Sequence, residues 1–192
     1  MGLPLEKDAR YTYADYLTWD DDVRYELIDG VPYMMASPGQ QHQEFLTEFS
    51  RQFSNFLRGK PCKGFVAPFD VRLFPQNDHD DDTVVQPDFL VVCDSKKLDG
   101  KSCNGAPDFV LEILSPSTSR KDRIVKKAQY GWAGVREYWI IDPKDGMLEK
   151  HVLESGAYTH EWLDASAPVP VSIFPGFEID LALIFGEEVP HA

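Results

Sequence analysis

The sequence has 192 residues, and we expect one domain over residues 1–192 with its core at about residues 11–185. Its 43% hydrophobic and 27% charged residues exclude a disordered chain, and no apolar run approaches the roughly 20 residues that cross a bilayer. The net charge of −13 argues against nucleic-acid binding by the whole surface, but it leaves a local basic site open. The first residues lack an apolar signal segment and the three cysteines lack a paired spacing, so we expect a cytoplasmic protein with reduced thiols.

The first third of the chain is predicted to form a short helix, a hairpin and a long helix. Thr12 is expected to cap the short helix, with Asp15 completing a capping box. The dipeptide Asp29-Gly30 is a typical hairpin turn, here between the strands YELI and PYMMA. Residues 39–59 are predicted to form an amphipathic helix, because phenylalanines recur near helical spacing at Phe45, Phe49, Phe53 and Phe56.

Apolar strands dominate the rest of the chain. The runs predicted as strands are GFVAPFDVRLFP, broken at Pro68, then QPDFLVV, PDFVLEILS and REYWIIDP, with loops at QNDHDDDTV and SKKLDGKSCNGA. A helix is expected from near Lys121 to near Gly134, and a late hairpin turns at Ser155-Gly156. This order predicts an α/β sandwich in which helices flank a central mixed β-sheet.

Two predicted strands carry acids beside or within their apolar runs. Asp88 directly precedes FLVV, and Glu112 lies inside FVLEIL, where an unpaired carboxylate would be costly. Two carboxylates that point into one cleft repel each other unless a proton or a cation lies between them, and hard oxygen ligands favour Mg²⁺ or Mn²⁺ as that cation. The alternatives stay open: Asp88 can simply open a strand after Pro87, and Glu112 can pair with Lys126 or Arg123.

A basic segment follows the Glu112 strand. Its cations are Arg120, Lys121, Arg123, Lys126, Lys127 and Arg136. On a helix, Lys126 and Tyr130 would share one face. Such a cluster beside carboxylates would attract a phosphate backbone, although a solvated helix face is an equally simple interpretation.

These motifs together resemble the Uma2 family, also called DUF820, of restriction-endonuclease-like proteins. The resemblance rests on YELIDG, QPDFLVV, GAPDFVLEILSPSTSRKD and GVREYWIIDP, with Lys126 and Tyr130 between the last two, and it spans roughly residues 11–185. It implies the PD-(D/E)xK nuclease fold, a central mixed sheet flanked by helices with a divalent-metal site at one edge. It also implies DNA as the substrate and hydrolysis of a phosphodiester bond by a metal-activated water.

The resemblance implies roles for individual residues. Asp88 and Glu112 match the acids that would bind Mg²⁺ or Mn²⁺, and the backbone carbonyl of Ile113 would be a further ligand. Glu26 matches the glutamate of the early hairpin, where the residues alone equally allow a solvated strand acid. His42 matches a position that is often histidine in the family, and a surface helix histidine is its alternative.

The signature lysine is missing from its usual place, because position 114 is Leu114. The resemblance implies that Lys126, on the next helix, orients the attacking water and offsets charge, with Lys127 open as the alternative. It further implies that nucleic acid contacts the remaining cations of the segment, and that Tyr130 belongs to the site. Those cations are Arg120, Lys121, Arg123 and Lys127.

Three functional hypotheses follow. The first is a Mg²⁺-dependent DNA endonuclease, which as a homodimer could cut both strands by analogy with other nucleases. The second is a catalytically degenerate scaffold or nucleic-acid-binding protein, supported by Leu114 and the acidic net charge. The third is a two-carboxylate glycosidase, which needs an aromatic-lined groove and which the basic segment argues against.

Overall fold

A computed structural model of the chain describes residues 9–20, 22–116 and 119–186. Its α- and π-helical elements are α1 (Tyr13–Tyr16), α2 (Gln40–Leu57), a π-helical segment (Lys121–Lys126) that continues directly into α3 (Lys127–Ala133), and α4 (Leu181–Phe185). Two short 3₁₀ turns lie at Asn77–His79 and Ser95–Lys97. Within the described ranges, no helix is both long enough and apolar enough to cross a membrane.

The strands form two main sheets and a small two-stranded one. In chain order they are β1 (Tyr25–Ile28), β2 (Val31–Met34), β3 (Lys63–Val66), β4 (Asp70–Arg72), β5 (Val84–Val85), β6 (Phe89–Val92), β7 (Ser102–Asn104), β8 (Phe109–Ile113), β9 (Glu137–Asp142), β10 (Met147–Glu154), β11 (Ala157–Leu163), β12 (Val169–Pro170) and β13 (Glu178–Ile179). The larger sheet has the order β11-β10-β9-β8-β6-β3, and the smaller has the order β2-β1-β5-β4-β7. Each combines one parallel pair, β8–β9 or β4–β7, with antiparallel neighbours. The predicted mixed sheet flanked by helices is confirmed.

The larger sheet is covered on both faces, which explains why its central strands are apolar throughout. On one face, Phe49 and Phe53 of α2 pack against Phe109 of β8 and Trp139 of β9. On the other face, residues of the smaller sheet and Tyr130 of α3 form a second core. Side chains alternate along β8, so Glu112 belongs to this second face, and it lies where β8 ends at the edge of that core.

Most predicted elements are present, but several short strands were not predicted, β7 among them. The capping box of Thr12 and Asp15, the Asp29-Gly30 hairpin and the helix after Gly39 are confirmed. The segment predicted as a loop at SKKLDGKSCNGA contains β7, which pairs in parallel with β4. The three residues of β7 show little apolar alternation, so their local sequence does not indicate a strand. Pairing with β4 stabilises them as a strand.

The cysteine prediction is wrong for two of the three thiols. Cys62 and Cys93 form a disulfide, and Cys103 is free and buried. The antiparallel register pairs Lys63 of β3 with Val92 of β6, which places the two cysteines opposite each other at the end of that ladder. Because the two cysteines are 31 residues apart, their spacing in the sequence does not indicate that they pair.

Candidate active site

A cleft of about 860 Å³ opens where several segments meet. They include the first hairpin, the start of α2, the start of β6, the end of β8, the π-helical segment and the turn after β9. Six acids line it, namely Glu26, Asp88, Glu112, Asp122, Asp142 and Asp145. This concentration of carboxylates, drawn from segments far apart in sequence, marks the cleft as the candidate site.

Glu112 is stabilised by two side chains from the helix that follows its strand. The residue is only 4% exposed, and its Oε1 accepts a hydrogen bond of 2.7 Å from the Tyr130 hydroxyl. The Lys126 ammonium forms an ion pair with the same Oε1. Burial raises the pKa of Glu112 well above its usual value, since the lowering effect of Lys126 is offset by the nearby charges of Asp122, Asp88 and Glu26.

Lys126 lies at the centre of the acidic cluster and is 2% exposed. Its Nζ is 2.7 Å from Oε1 of Glu26 and 3.7 Å from Oδ1 of Asp122, in addition to its contact with Glu112. Burial lowers the pKa of Lys126, but these carboxylates outweigh it and raise the pKa well above the usual lysine value. The ammonium is therefore charged at neutral pH.

Glu26 is fully buried and holds two lysines at once. Its Oε2 accepts from Lys121 Nζ at 2.6 Å, and its Oε1 accepts from Lys126 Nζ and from the backbone N–H of Gln86 at 3.1 Å. Burial raises the pKa of Glu26, but the two lysines outweigh it and lower the pKa to about 2. The carboxylate stays ionised across the physiological range.

The π-helical segment explains how both lysines reach one carboxylate. In a π-helix the hydrogen-bonded turn joins residues five apart, so Lys121 and Lys126 lie about one turn apart along the same side. In a regular α-helix, with 3.6 residues per turn, residues five apart would diverge around the axis. Such π-helical turns inside helices are frequent at functional sites.

Asp88 is held from two sides at the start of β6. Its Oδ2 accepts from the backbone N–H of Ile113 at 2.7 Å, which ties it to the residue after Glu112. The same oxygen is 3.1 Å from Nε2 of His42, in the first turn of α2. Nδ1 of His42 is buried and has no hydrogen-bond partner among the residues that the structure describes.

The structure brings most of the predicted site residues to this cleft. Those that line it are Glu26, His42, Asp88, Glu112, Ile113, Lys121, Arg123 and Lys126. Tyr130 lies behind Glu112 and is fully buried. Arg120 and Lys127 are not among the described lining residues, so Lys126 rather than Lys127 faces the acids.

Arg123 lines the cleft, but its charge is already used within the fold. It donates to Asp142 at 2.7 Å and also pairs with Glu149, and its guanidinium lies 5.7 Å from the ring centre of Trp162. None of the tryptophans in the described ranges lines the cleft itself. That composition disfavours the aromatic groove which a glycosidase requires.

Several lining residues were absent from the predicted set, Asp122 and Arg24 among them. Asp122 contacts Lys126 across one helical turn, and its spacing of four residues was a readable signal. Arg24 also lines the cleft and is held by Gln86, which is buried next to it. No local sequence pattern indicates that Arg24 or Gln86 belongs to the site, because the pairing of β1 with β5 brings the two residues together.

The chemistry of the carboxylates fits a hydrated Mg²⁺ or Mn²⁺ ion. Among the described residues, no group of three or more His, Cys, Asp or Glu side chains is arranged to enclose a metal. Mg²⁺ does not require such a cage, because it keeps several waters and takes one or two carboxylates together with substrate phosphates. Asp88 pairs with no lysine or arginine among the described residues, so together with Glu112 it keeps the capacity to bind a further cation.

Comparison with known proteins finds a family model, solved structures and a curated relative that are similar to this chain. The family model "Uma2: Putative restriction endonuclease" matches residues 13–182. A crystal structure of "a putative nuclease belonging to DUF820" from Anabaena variabilis ATCC 29413 is similar with a TM-score of 0.73 and 20% identity, over 91% of this chain and 97% of that chain, which is a likeness of fold. The "Uncharacterized protein slr1290" of Synechocystis sp. is 30% identical over 111 residues, or 57% of this chain, and the match covers 56% of that protein, about half its length.

Proposed function

The chain belongs to the Uma2 family, and we propose that it is an endonuclease that hydrolyses phosphodiester bonds of DNA with a divalent metal ion. The observation that carries the proposal is the meeting of Asp88, Glu112 and Lys126 in one cleft, from two strands and the following helix. Two acids and a cation around one cavity are the groups that metal-assisted attack on a phosphodiester requires.

In this proposal the acids bind the metal and their neighbours orient them. Asp88 and Glu112, with the carbonyl of Ile113, would hold Mg²⁺ or Mn²⁺. When bound, the ion lowers the pKa of a coordinated water and neutralises charge on a phosphoryl oxygen. The Ile113 N–H and His42 fix the orientation of Asp88, and the Tyr130 hydroxyl fixes that of Glu112.

Lys126 acts as a fixed positive charge in this scheme. Because its pKa is raised, it holds its proton at Nζ and does not serve as a general base. It would hydrogen-bond the attacking water and stabilise the negative charge that develops on the phosphoryl group. Glu26 is a positioning residue, because it binds Nζ of Lys126 from a fully buried site and has its own charge fixed by a pKa of about 2.

A catalytically inactive, nucleic-acid-binding relative is the second candidate function. It is favoured by Leu114 at the signature position, where the side chain is buried in the core, and by the ion pairs that neutralise Lys121, Arg123 and Lys126. The two candidates differ in whether metal binding is followed by strand cleavage. A homodimer and a cytoplasmic location stay predictions of the sequence.

The test is Mg²⁺ and Mn²⁺ titration by calorimetry, followed by plasmid nicking on the same samples. Wild type is compared with Asp88→Asn and Glu112→Gln, and with Glu154→Gln as an exposed acid at the end of β10. We expect wild type and Glu154→Gln to bind metal and nick plasmid, and the two cleft variants to lose both. Metal binding without nicking favours the inactive relative, and equal binding by all four proteins refutes the assigned ligands.

A further inference from the structure

Arg24 is a cation on the wall of the cleft, beside the acids. It precedes β1 and stands two residues before Glu26, so the two side chains leave the same face of the chain. Gln86 stands two residues before Asp88, and its backbone N–H contacts Glu26. Arg24 therefore extends the wall that carries Glu26 and Asp88, and the buried Gln86 holds it in place.

The guanidinium of Arg24 is held by a neutral amide. Nε and Nη2 of Arg24 donate to Oε1 of Gln86 at 3.1 and 3.0 Å. Nε2 of Gln86 donates in turn to Oδ1 of Asp70 at 2.8 Å and to the Tyr16 hydroxyl at 3.1 Å. Because Asp70 only accepts, the amide must direct its nitrogen to Asp70 and its oxygen to Arg24.

This arrangement fixes the arginine without neutralising it. Lys121, Arg123 and Lys126 on the same cleft are each paired with carboxylates, whereas Arg24 has no ion pair among the described residues. Its Nη1 likewise makes no hydrogen bond to any described residue, and Nη2 approaches Sδ of Met35 at 3.8 Å. A half-buried guanidinium with its charge uncompensated and donors unused is a receptor for an anion.

We propose that Arg24, held by Gln86, forms a phosphate subsite that binds the nucleic-acid strand next to the phosphodiester attacked at Asp88 and Glu112. The inference rests on the proposed function and deepens it. Phosphate is the anion that fits, because a fixed guanidinium offers it paired N–H donors. In a chain of net charge −13, an unpaired cation beside the acids offsets the repulsion that they exert on a polyanion.

The first test measures binding of a short fluorescein-labelled DNA duplex by anisotropy, in EDTA and over a KCl series. Arg24→Gln is compared with wild type and with Arg58→Gln, which removes the same charge from an exposed position after α2. We expect Arg24→Gln to weaken binding several-fold at low salt and to reduce the slope of log K against log salt by about one. Arg58→Gln should keep the wild-type slope.

The second test moves a negative charge without changing the total. The double variant Asp70→Asn/Gln86→Glu exchanges the amide and the carboxylate, so the two side chains can still hydrogen-bond, but a carboxylate now faces Arg24. We expect the same loss of slope as in Arg24→Gln although Arg24 is present. Thermal unfolding followed by circular dichroism confirms that the double variant is folded, and a folded double variant with the wild-type slope overturns the proposal.

The outcomes separate this inference from the proposed function. If wild type binds the duplex and Arg24→Gln matches Arg58→Gln, the subsite is refuted while metal-dependent nicking can still stand. A guanidinium needs no metal, so wild type that binds no duplex in EDTA also overturns the subsite. Plasmid nicking in Mg²⁺ then tests the proposed function separately: nicking supports it, and no nicking refutes it together with the subsite.

Discussion

Lys126 is the residue on which the buried acids depend. Removing one partner of a buried ion pair is costly because the other charge is left in a low-dielectric interior. We expect Lys126→Met to lower the free energy of unfolding by about 3–5 kcal/mol at pH 7 in urea titrations. The neighbouring variant Lys127→Met, outside the cleft, should change it by less than about 0.5 kcal/mol.

The pH dependence of the stability of Lys126→Met tests whether the unpaired charge of Glu112 causes the loss. Without Lys126 the burial that already raises the pKa of Glu112 loses its main offset, so the folded state binds a proton more readily than the unfolded state. Stability then falls as pH rises, and Lys126→Met should recover part of its loss between pH 7 and pH 5. A loss that is constant over this range would assign the effect to packing.

At the scale of single residues, the sequence predicted that Glu112 needs a partner but did not decide which partner it has. Glu112 inside an apolar strand had to be paired, protonated or bound to a cation, and pairing with Lys126 was one of the open alternatives, which the structure bears out. The choice of Lys126 over Lys127 depends on the helical geometry after Lys121, which adjacent positions in a sequence do not reveal. Whether a metal joins them is a proposal.

Among the elements, the π-helical segment sets the geometry of the site. Ile124 lies within it and is 58% exposed, so removing its side chain costs little packing. We expect deletion of Ile124 to restore a regular α-helical register, because π-turns carry one extra residue per turn. Either Lys121 or Lys126 would then leave Glu26, and we expect a loss of about 3 kcal/mol in urea titrations.

Ile124→Ala is the matched control for the deletion, since it removes the side chain and keeps the chain length. It should unfold within about 1 kcal/mol of wild type. A deletion variant as stable as Ile124→Ala would show that the extra residue is unnecessary for the two lysines to reach Glu26.

Arg123 connects the π-helical segment to β9 and β10 through Asp142 and Glu149. Burial raises the pKa of both acids. Hydrogen bonds outweigh it and lower the pKa of Asp142, with Arg123 the leading donor, whereas His151, 3.7 Å away, and Arg123 together lower the pKa of Glu149. Acids with a lowered folded pKa stabilise the fold above their unfolded pKa, and this contribution is lost as pH falls through the folded value. We expect Arg123→Gln to cost on the order of 1 kcal/mol at pH 7, and much less near pH 3.

Arg136→Gln is the control for this ion pair, because Arg136 is 56% exposed and contacts Asp108 at 3.3 Å. It should change the urea midpoint little at either pH. If Arg123→Gln costs the same at both pH values, the contact of its side chain with Trp162 is the source of stability, and the charge is not.

The elements that sequence predicts best are those with a strong local period or turn. The phenylalanines of α2 and the Asp29-Gly30 turn gave the helix and the hairpin directly. The π-helical turn and β7 carry no such signal, because one depends on contacts with Glu26 and the other on pairing with β4. Tertiary contacts decide both.

For the whole molecule, the disulfide joins the end of α2 and the edge strand β3 to β6 in the larger sheet. The sequence prediction failed here because strand register, and not spacing, brings Cys62 and Cys93 together. A closed loop of about 30 residues restricts the unfolded chain, which corresponds to about 3–4 kcal/mol in the chain-entropy account. We expect the double variant Cys62→Ser/Cys93→Ser to be less stable than oxidised wild type by this amount.

Reduction provides the matched control, because Cys103 does not react while the protein is folded. Cys103 is fully buried, and burial raises the pKa of its thiol to about 12, which keeps it protonated. Wild type in dithiothreitol should therefore unfold at the urea concentration of the double variant, and the double variant should not respond to dithiothreitol. Oxidised wild type should show one titratable thiol after unfolding, and three thiols would mean that the bond does not form.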